Sequence, residues 1–172
     1  MFVASNVLSK LSNVFIPLDG AVDVSATIAG GDSFTDKNYQ SDYQRYIRGN
    51  SKQITNHLIT MHTEQTKSII GMIPDGGKIK DLPREYWEIR KFNKAFQRMP
   101  SGGVSATVDT GHRNYFHYKQ NRIPSVRENA RLQSFKDDWE PLGSKTSQYK
   151  QIGNAVPPLL AENVARTLKK YL

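Results

Sequence analysis

The sequence predicts an α+β fold, small and loop-rich, with helices gathered at its C-terminal end. Three observations carry this. Ser125–Glu128, SVRE, has the form of a reciprocal helix cap. Val156, Leu160, Val164 and Leu168 recur every four residues near the C-terminus. Between residues 29 and 121 the apolar runs are short and broken by Gly, Pro, Asn and Asp.

In chain order, residues 2–18 read as a strand, FVAS, a loop and a second apolar piece ending at Pro17. The chain is expected to start inside a buried strand, unlike the polar, frayed edge of most domains. Residues 29–53 are rich in turn formers and are expected to cover a surface, with a short helix near Asp42–Arg48. Residues 60–73 suit a helix through Met61, Ile69, Ile70 and Ile73, which Gly71 weakens near its end. A turn and loop follow over residues 74–83.

A second helix is predicted from Arg84 to about Arg98, with Tyr86, Trp87, Ile89, Phe92 and Phe96 as apolar members, stopping before Pro100. VSATV, residues 104–108, alternates like a strand, and NYFHY, residues 114–118, is aromatic and strand-like. Pro124 discourages helix upstream of Ser125, so the capped helix should run over about Val126–Phe135. In the final helix Glu162, Arg166 and Lys170 take a second face, and Lys169 and Lys170 complement the negative end of its dipole.

Charge narrows the partner. The net charge is +8; residues 1–50 hold four basic and five acidic side chains, residues 51–172 twenty and eleven. That skew suits a polyanion, because neutralising phosphates releases condensed counterions. The absence of cysteine excludes a disulfide framework, a thiolate metal site and a thiol nucleophile within these residues. No apolar run nears the ~20 residues that span a bilayer. The first residues carry Lys10 within their apolar stretch and no A-x-A pattern, so a signal peptide is not expected and the cytoplasm is.

Several chemical candidates reduce to simpler readings. His57/His62 and His112/His117 are each spaced by five, wrong for a helical zinc pair, and are read as polar loop residues. Asp137 and Asp138 are read as a surface turn, and SGGVS at 101–105 as a turn without a phosphate-loop motif. Neither a catalytic group nor a metal site is expected. The basic stretches carry more: residues 78–98 hold seven basic and three acidic side chains. Residues 111–122 interleave Arg113, Lys119 and Arg122 with three aromatics, a pattern suited to phosphates and base edges.

SVRENARLQSFKDDW resembles the ninth conserved block of DNA (cytosine-5) methyltransferases, with Lys136 where proline is usual. QYKQIGNAVPPLLAENVARTL resembles the tenth, built around Gln151, Gly153, Asn154, Val156 and two prolines. Upstream, ITNHLITMH, IIGMIPDGGKIKDLP and SATV are similar to the family's target-recognition region, with Thr107-Val108 at the place of a Thr-Leu dipeptide.

The resemblance implies three parts: residues 1–28 ending a catalytic-lobe strand, 29–121 a target-recognition domain, and 122–172 blocks nine and ten. The last helices would then complete a Rossmann-like catalytic lobe. It further implies double-stranded DNA as partner, with Arg98, Thr107, Arg113, Lys119 and Arg122 facing it. Arg127, Glu128, Arg131 and Gln133 would brace the lobe, the first three through one another on about one helical turn. Asn154 would lie beside the amino-acid end of S-adenosylmethionine.

The family's Pro-Cys nucleophile and F-x-G-x-G cofactor loop have no counterpart here, and Glu162–Val164 matches Glu-Asn-Val only by coincidence. The expectation is therefore a DNA-recognition subunit or fragment, using S-adenosylmethionine only with a catalytic methyltransferase chain, in the bacterial or phage cytoplasm at the nucleoid. A remnant of an interrupted gene and a stand-alone DNA-binding protein stay open.

Overall fold

The computed structural model describes residues 32–33, 39, 41–88, 96–111 and 115–172. The expected opening strand, Ile89, Phe92, His112 and Arg113 lie outside the described residues. The elements are β1 (Asp32–Ser33), α1 (Asp42–Arg48), β2 (Gln53–Ile54), α2 (Glu64–Met72), a 3₁₀ turn (Ile79–Asp81), α3 (Arg84–Glu88), β3 (Gln97–Arg98), β4 (Tyr115–Phe116), α4 (Val126–Leu132), α5 (Lys145–Asn154) and α6 (Pro158–Leu168).

Helix starts follow local chemistry. The hydroxyls of Ser41, Thr63 and Ser144 accept the amides of Gln44, Thr66 and Ser147, satisfying donors that each first turn leaves orphaned. α1 takes the predicted bounds. α2 begins later than its apolar pattern suggested: Met61 stands outside it, 82% exposed, while Ile69, Ile70 and Ile73 are buried.

The strands are pairs of residues rather than ladders. β1 and β2 run antiparallel, with Asp32 opposite Ile54. β3 and β4 run parallel, with Gln97 opposite Tyr115 and Arg98 opposite Phe116. Packing holds this second pair. Phe96 stacks on Phe116 at 5.2 Å between ring centres, inside a core with Ile69, Ile70, Ile73, Ile79 and Ile123.

Two strand and helix expectations are corrected here. Gln97–Arg98 is strand, not helix: Ile79 N–H donates to Phe96 O and Arg98 N–H to Gly77 O, both at 2.9 Å, and Pro100 favours extended backbone before it. VSATV forms no strand with the described residues; Val104 is 64% exposed, and Val108 instead packs beneath α4.

The second core joins α4 to α5 through Val126, Ala130, Tyr149 and Ile152, covered by Val108, Phe135 and Trp139. The predicted cap of α4 is present: Ser125 Oγ accepts Glu128 N–H at 3.2 Å, and Ser125 N–H donates to Glu128 Oε2 at 2.6 Å. The helix ends at Leu132, short of Phe135. Ser134 turns left-handed at φ 60°, Phe135 N–H bonds Ala130 O at 3.0 Å, and Ser134 N–H bonds Arg131 O at 2.9 Å. These two bonds make a Schellman termination.

The reversal swings Asp137 back onto the helix. Arg131 Nε and Nη2 reach its two oxygens at 2.9 and 2.6 Å, with Asp137 1% exposed. The surface turn expected at Asp137 is thus an internal ion pair. Removing one member of such a pair strands a buried charge and typically costs ~3–5 kcal/mol, whereas an apolar replacement of both is often tolerated. Asp137→Ala is expected to lower urea stability by about 3–5 kcal/mol, and the double variant Arg131→Met/Asp137→Leu to recover most of it.

Candidate nucleic-acid interface and its buried scaffold

The described residues among those singled out in the sequence take one of two positions. Thr107 and Lys119 stand exposed, as do Lys78, Lys80 and Arg84. Arg98 and Arg122 turn inward, 5% and 7% exposed, which corrects the expectation that their side chains face a duplex.

The Arg98 guanidinium donates to Ile73 O at 3.0 Å, His117 O at 3.1 Å and Asn121 Oδ1 at 2.9 Å, and also to Ile70 O. It therefore joins the C-terminal carbonyls of α2 to the loop that carries Lys119. Arg122 grips Glu128 in a two-pronged pair at 2.7 and 2.6 Å. Such charge-assisted forks fix geometry as well as adding energy.

Between these two arginines sits His117, 3% exposed and not the polar loop residue expected. Its Nδ1 accepts the amides of Lys119 and Gln120 at 3.0 and 2.9 Å, so that nitrogen is unprotonated. Burial holds its pKa down to about 4; Glu128, 3.8 Å from Nε2, opposes the shift, and the positive charges of Arg122 and Arg98 reinforce it. Burial pushes the Glu128 carboxyl up, but the hydrogen bonds and charge of Arg122 more than offset this and leave it lowered.

The brace residues are buried as well, but they do not bind one another. Arg127, fully buried, donates to Thr55 O and Trp139 O at 2.9 Å and to Lys136 O at 3.1 Å. Glu128 takes Arg122, and Arg131 takes Asp137. Gln133 donates to Ile152 O at 2.8 Å, and Tyr149 Oη to Pro124 O at 2.8 Å, so α4 is bolted to α5 at both ends. No sequence signal showed α5 as a helix, because its apolar face has only Tyr149 and Ile152 buried.

The sequence profile of C-5 cytosine-specific DNA methylases matches residues 25–170. The chain belongs to that family. It is 39% identical to the type II methyltransferase M1.HphI of Haemophilus parahaemolyticus over 71% of this chain and 33% of that protein. It is 34% identical to the type II methyltransferase M.AquIB of a Picosynechococcus strain over 69% of this chain and 90% of that protein. A crystal structure of an E. coli prophage protein described as a DNA modification methyltransferase shares its fold. The TM-score is 0.70 at 18% identity, over 92% of this chain and 50% of the other. The chain thus spans about a third of M1.HphI but nearly the whole of M.AquIB.

Asn154 is exposed on the last turn of α5. Its neighbour Gly153 abuts the Asp109–Thr110 backbone so tightly that a Cβ there would lie 2.5 Å from Thr110 N and closer still to the Asp109 carbonyl. Backbone rests on backbone at this point, and no side chain can yield. Among the described residues no group of three or more His, Asp or Glu could hold a metal, and no helix is long and apolar enough to cross a membrane.

Two outcomes follow. Gly153→Ala is expected to destabilise by about 1–3 kcal/mol, read from the urea midpoint, because α5 must lift from the Asp109 backbone. For His117, the unfolded chain takes up a proton as pH falls through 6.5 while the folded chain resists until about 4. The unfolded state then binds more protons, so stability falls with falling pH across that window, by up to about 3 kcal/mol. Denaturation midpoints measured from pH 7 to pH 4 should show this slope, and His117→Asn should flatten it.

Proposed function

We propose that this chain is the DNA-recognition component of a cytosine-5 methyltransferase and works only with a second chain that supplies the cysteine nucleophile and the cofactor loop. One observation carries the reading: a family member without cysteine covers a third of M1.HphI yet aligns with nine-tenths of M.AquIB. M.AquIB, itself a type II methyltransferase, is thus nearly covered by the span it shares with this chain.

α6 supports the same reading. None of its residues is buried; Val164 and Leu168 are 42% and 57% exposed, and Val156, Tyr171 and Leu172 extend the apolar surface. An amphipathic helix ordinarily turns such residues inward. Here they offer a docking face for a catalytic lobe.

In this proposal Thr107, Arg113 and Lys119 face duplex DNA, while Arg98 and Arg122 hold the loops that present them. Groove contacts of this kind offset the few kcal/mol needed to unstack a target base. The family uses S-adenosylmethionine as its methyl donor. Asn154 would approach the donor's amino-acid end, but one exposed carboxamide does not make a cofactor site. The remaining groups, and the thiolate that attacks the base, belong to the partner chain.

The decisive measurement is methyl transfer from labelled S-adenosylmethionine to DNA by this chain, by a chain carrying the Pro-Cys and F-x-G-x-G blocks, and by both mixed. Activity is expected only in the mixture; activity from this chain alone would overturn the proposal. Val164→Asp/Leu168→Asp should abolish complementation while moving urea stability by no more than about 0.5 kcal/mol, as surface changes do. Lys119→Ala should lower the salt slope of DNA binding by about one. Sequence-selective binding without methylation in any mixture would instead mark a stand-alone DNA-binding protein.

A further inference from the structure

The three C-terminal helices are held very differently. α4 buries six of its seven residues, and α5 buries Tyr149 and Ile152. α6 buries none of its eleven. A hydrogen bond from Leu159 N–H to Ser134 Oγ at 3.1 Å ties its first turn to the residues after α4. Beyond that turn exposure climbs, from half-buried Leu159 and Leu160 to Val164 at 42% and Leu168 at 57%.

The internal interactions of α6 add little. Its eleven residues fall short of the ~12–15 below which an isolated helix is marginal in water. Pro158 presets the first turn, yet Pro157 before it supplies no side-chain cap. Glu162 and Arg166 pair at 2.5 Å one turn apart, but such pairs are weak at an exposed surface. Asn163, Val164 and Thr167 are poor helix formers. The Thr167 hydroxyl donates back to Asn163 O at 2.9 Å, a contact that slightly destabilises helices. The sequence nevertheless keeps a stripe of Leu160, Val164 and Leu168, continued by Tyr171, with Glu162, Arg166 and Lys169 on the opposite side.

We propose that α6 is a docking arm, partly helical in the free chain and fixed as a helix when its stripe seats on an apolar face of the catalytic chain. This rests on the two-chain reading above. A second copy of this chain would bring no cysteine. About two-thirds of M1.HphI lies outside the span it shares with this chain, room enough for the parts that reading assigns to a partner. The occupant is therefore the catalytic chain. Docking that also folds the arm loses part of the contact energy to ordering it, so affinity follows helix propensity even at positions off the stripe.

Amide hydrogen exchange of the full chain, alone and mixed with a chain carrying the Pro-Cys and F-x-G-x-G blocks, reads this transition directly. Residues 158–168 should exchange fast in the free chain while α4 stays protected, and should slow by about tenfold or more once the partner is added. Affinity supplies a second measurement. Asn163→Ala should tighten the complex about threefold and Arg166→Gly weaken it about fourfold, although both residues lie off the stripe. If the complex forms but residues 158–168 are already as protected as α4 in the free chain, and neither substitution moves Kd, α6 is a preformed helix and the inference is overturned. Protection that rises with the concentration of this chain alone would make a second copy the occupant and overturn it too. If no complex forms with any such catalytic chain, the two-chain reading falls and this inference with it.

Discussion

Glu128 is the group on which the structure turns. This fully buried carboxylate closes the α4 cap through Ser125 N–H, takes both prongs of Arg122 and lies beside His117. A carboxylate in that position is tolerable because Ser125 N–H donates to it and the Arg122 guanidinium covers both its oxygens. Those neighbours belong to different segments. Arg122 closes the loop that carries Lys119, His117 orders its turn, and Ser125 starts the helix that meets α5. One charge thereby sets the relative placement of the Lys119 loop and the helix pair.

Around it, the molecule separates holding from touching. Arginines that composition alone would assign to phosphates are spent on internal carbonyls and carboxylates, and the exposed basic groups ride on the loops they secure. The strands are too short to organise anything by themselves. The loops owe their order to side chains reaching into them from α4 and β3. The apolar stripe of α6 stays exposed, and in the proposed reading it is the face that meets a catalytic chain.

What the sequence disclosed follows the range of each interaction. The α4 cap was legible because its four residues are contiguous, and α1 because turn formers flank it. The Schellman end was not, since Ser134 is an unexpected residue for a left-handed position and only the approach of Asp137 to Arg131 shows why the chain turns there. Gln97–Arg98 read as helix because its aromatic spacing is helical, whereas pairing with residues 77–79 and 115–116 decides it. At the site, charge pattern located the right segments but gave Arg98 and Arg122 the wrong direction: a positive side chain reads the same whether it meets a phosphate or a buried carbonyl. His117 was missed for a similar reason, its role resting on two amides within three residues of it. The family blocks carried the assignment further than any periodicity, yet their meaning for single side chains emerged only with their partners.

Arg98 and Arg127 share one habit: they bind mostly main-chain oxygens, those of Ile70, Ile73, His117 and Tyr118 in one case and of Thr55, Lys136 and Trp139 in the other. A carbonyl oxygen is present whatever side chain its residue bears. The clamp therefore does not depend on the side chains of Tyr118, Lys136 or Trp139. In the proposed reading, the outward letters of these loops can change while the socket beneath stays unchanged.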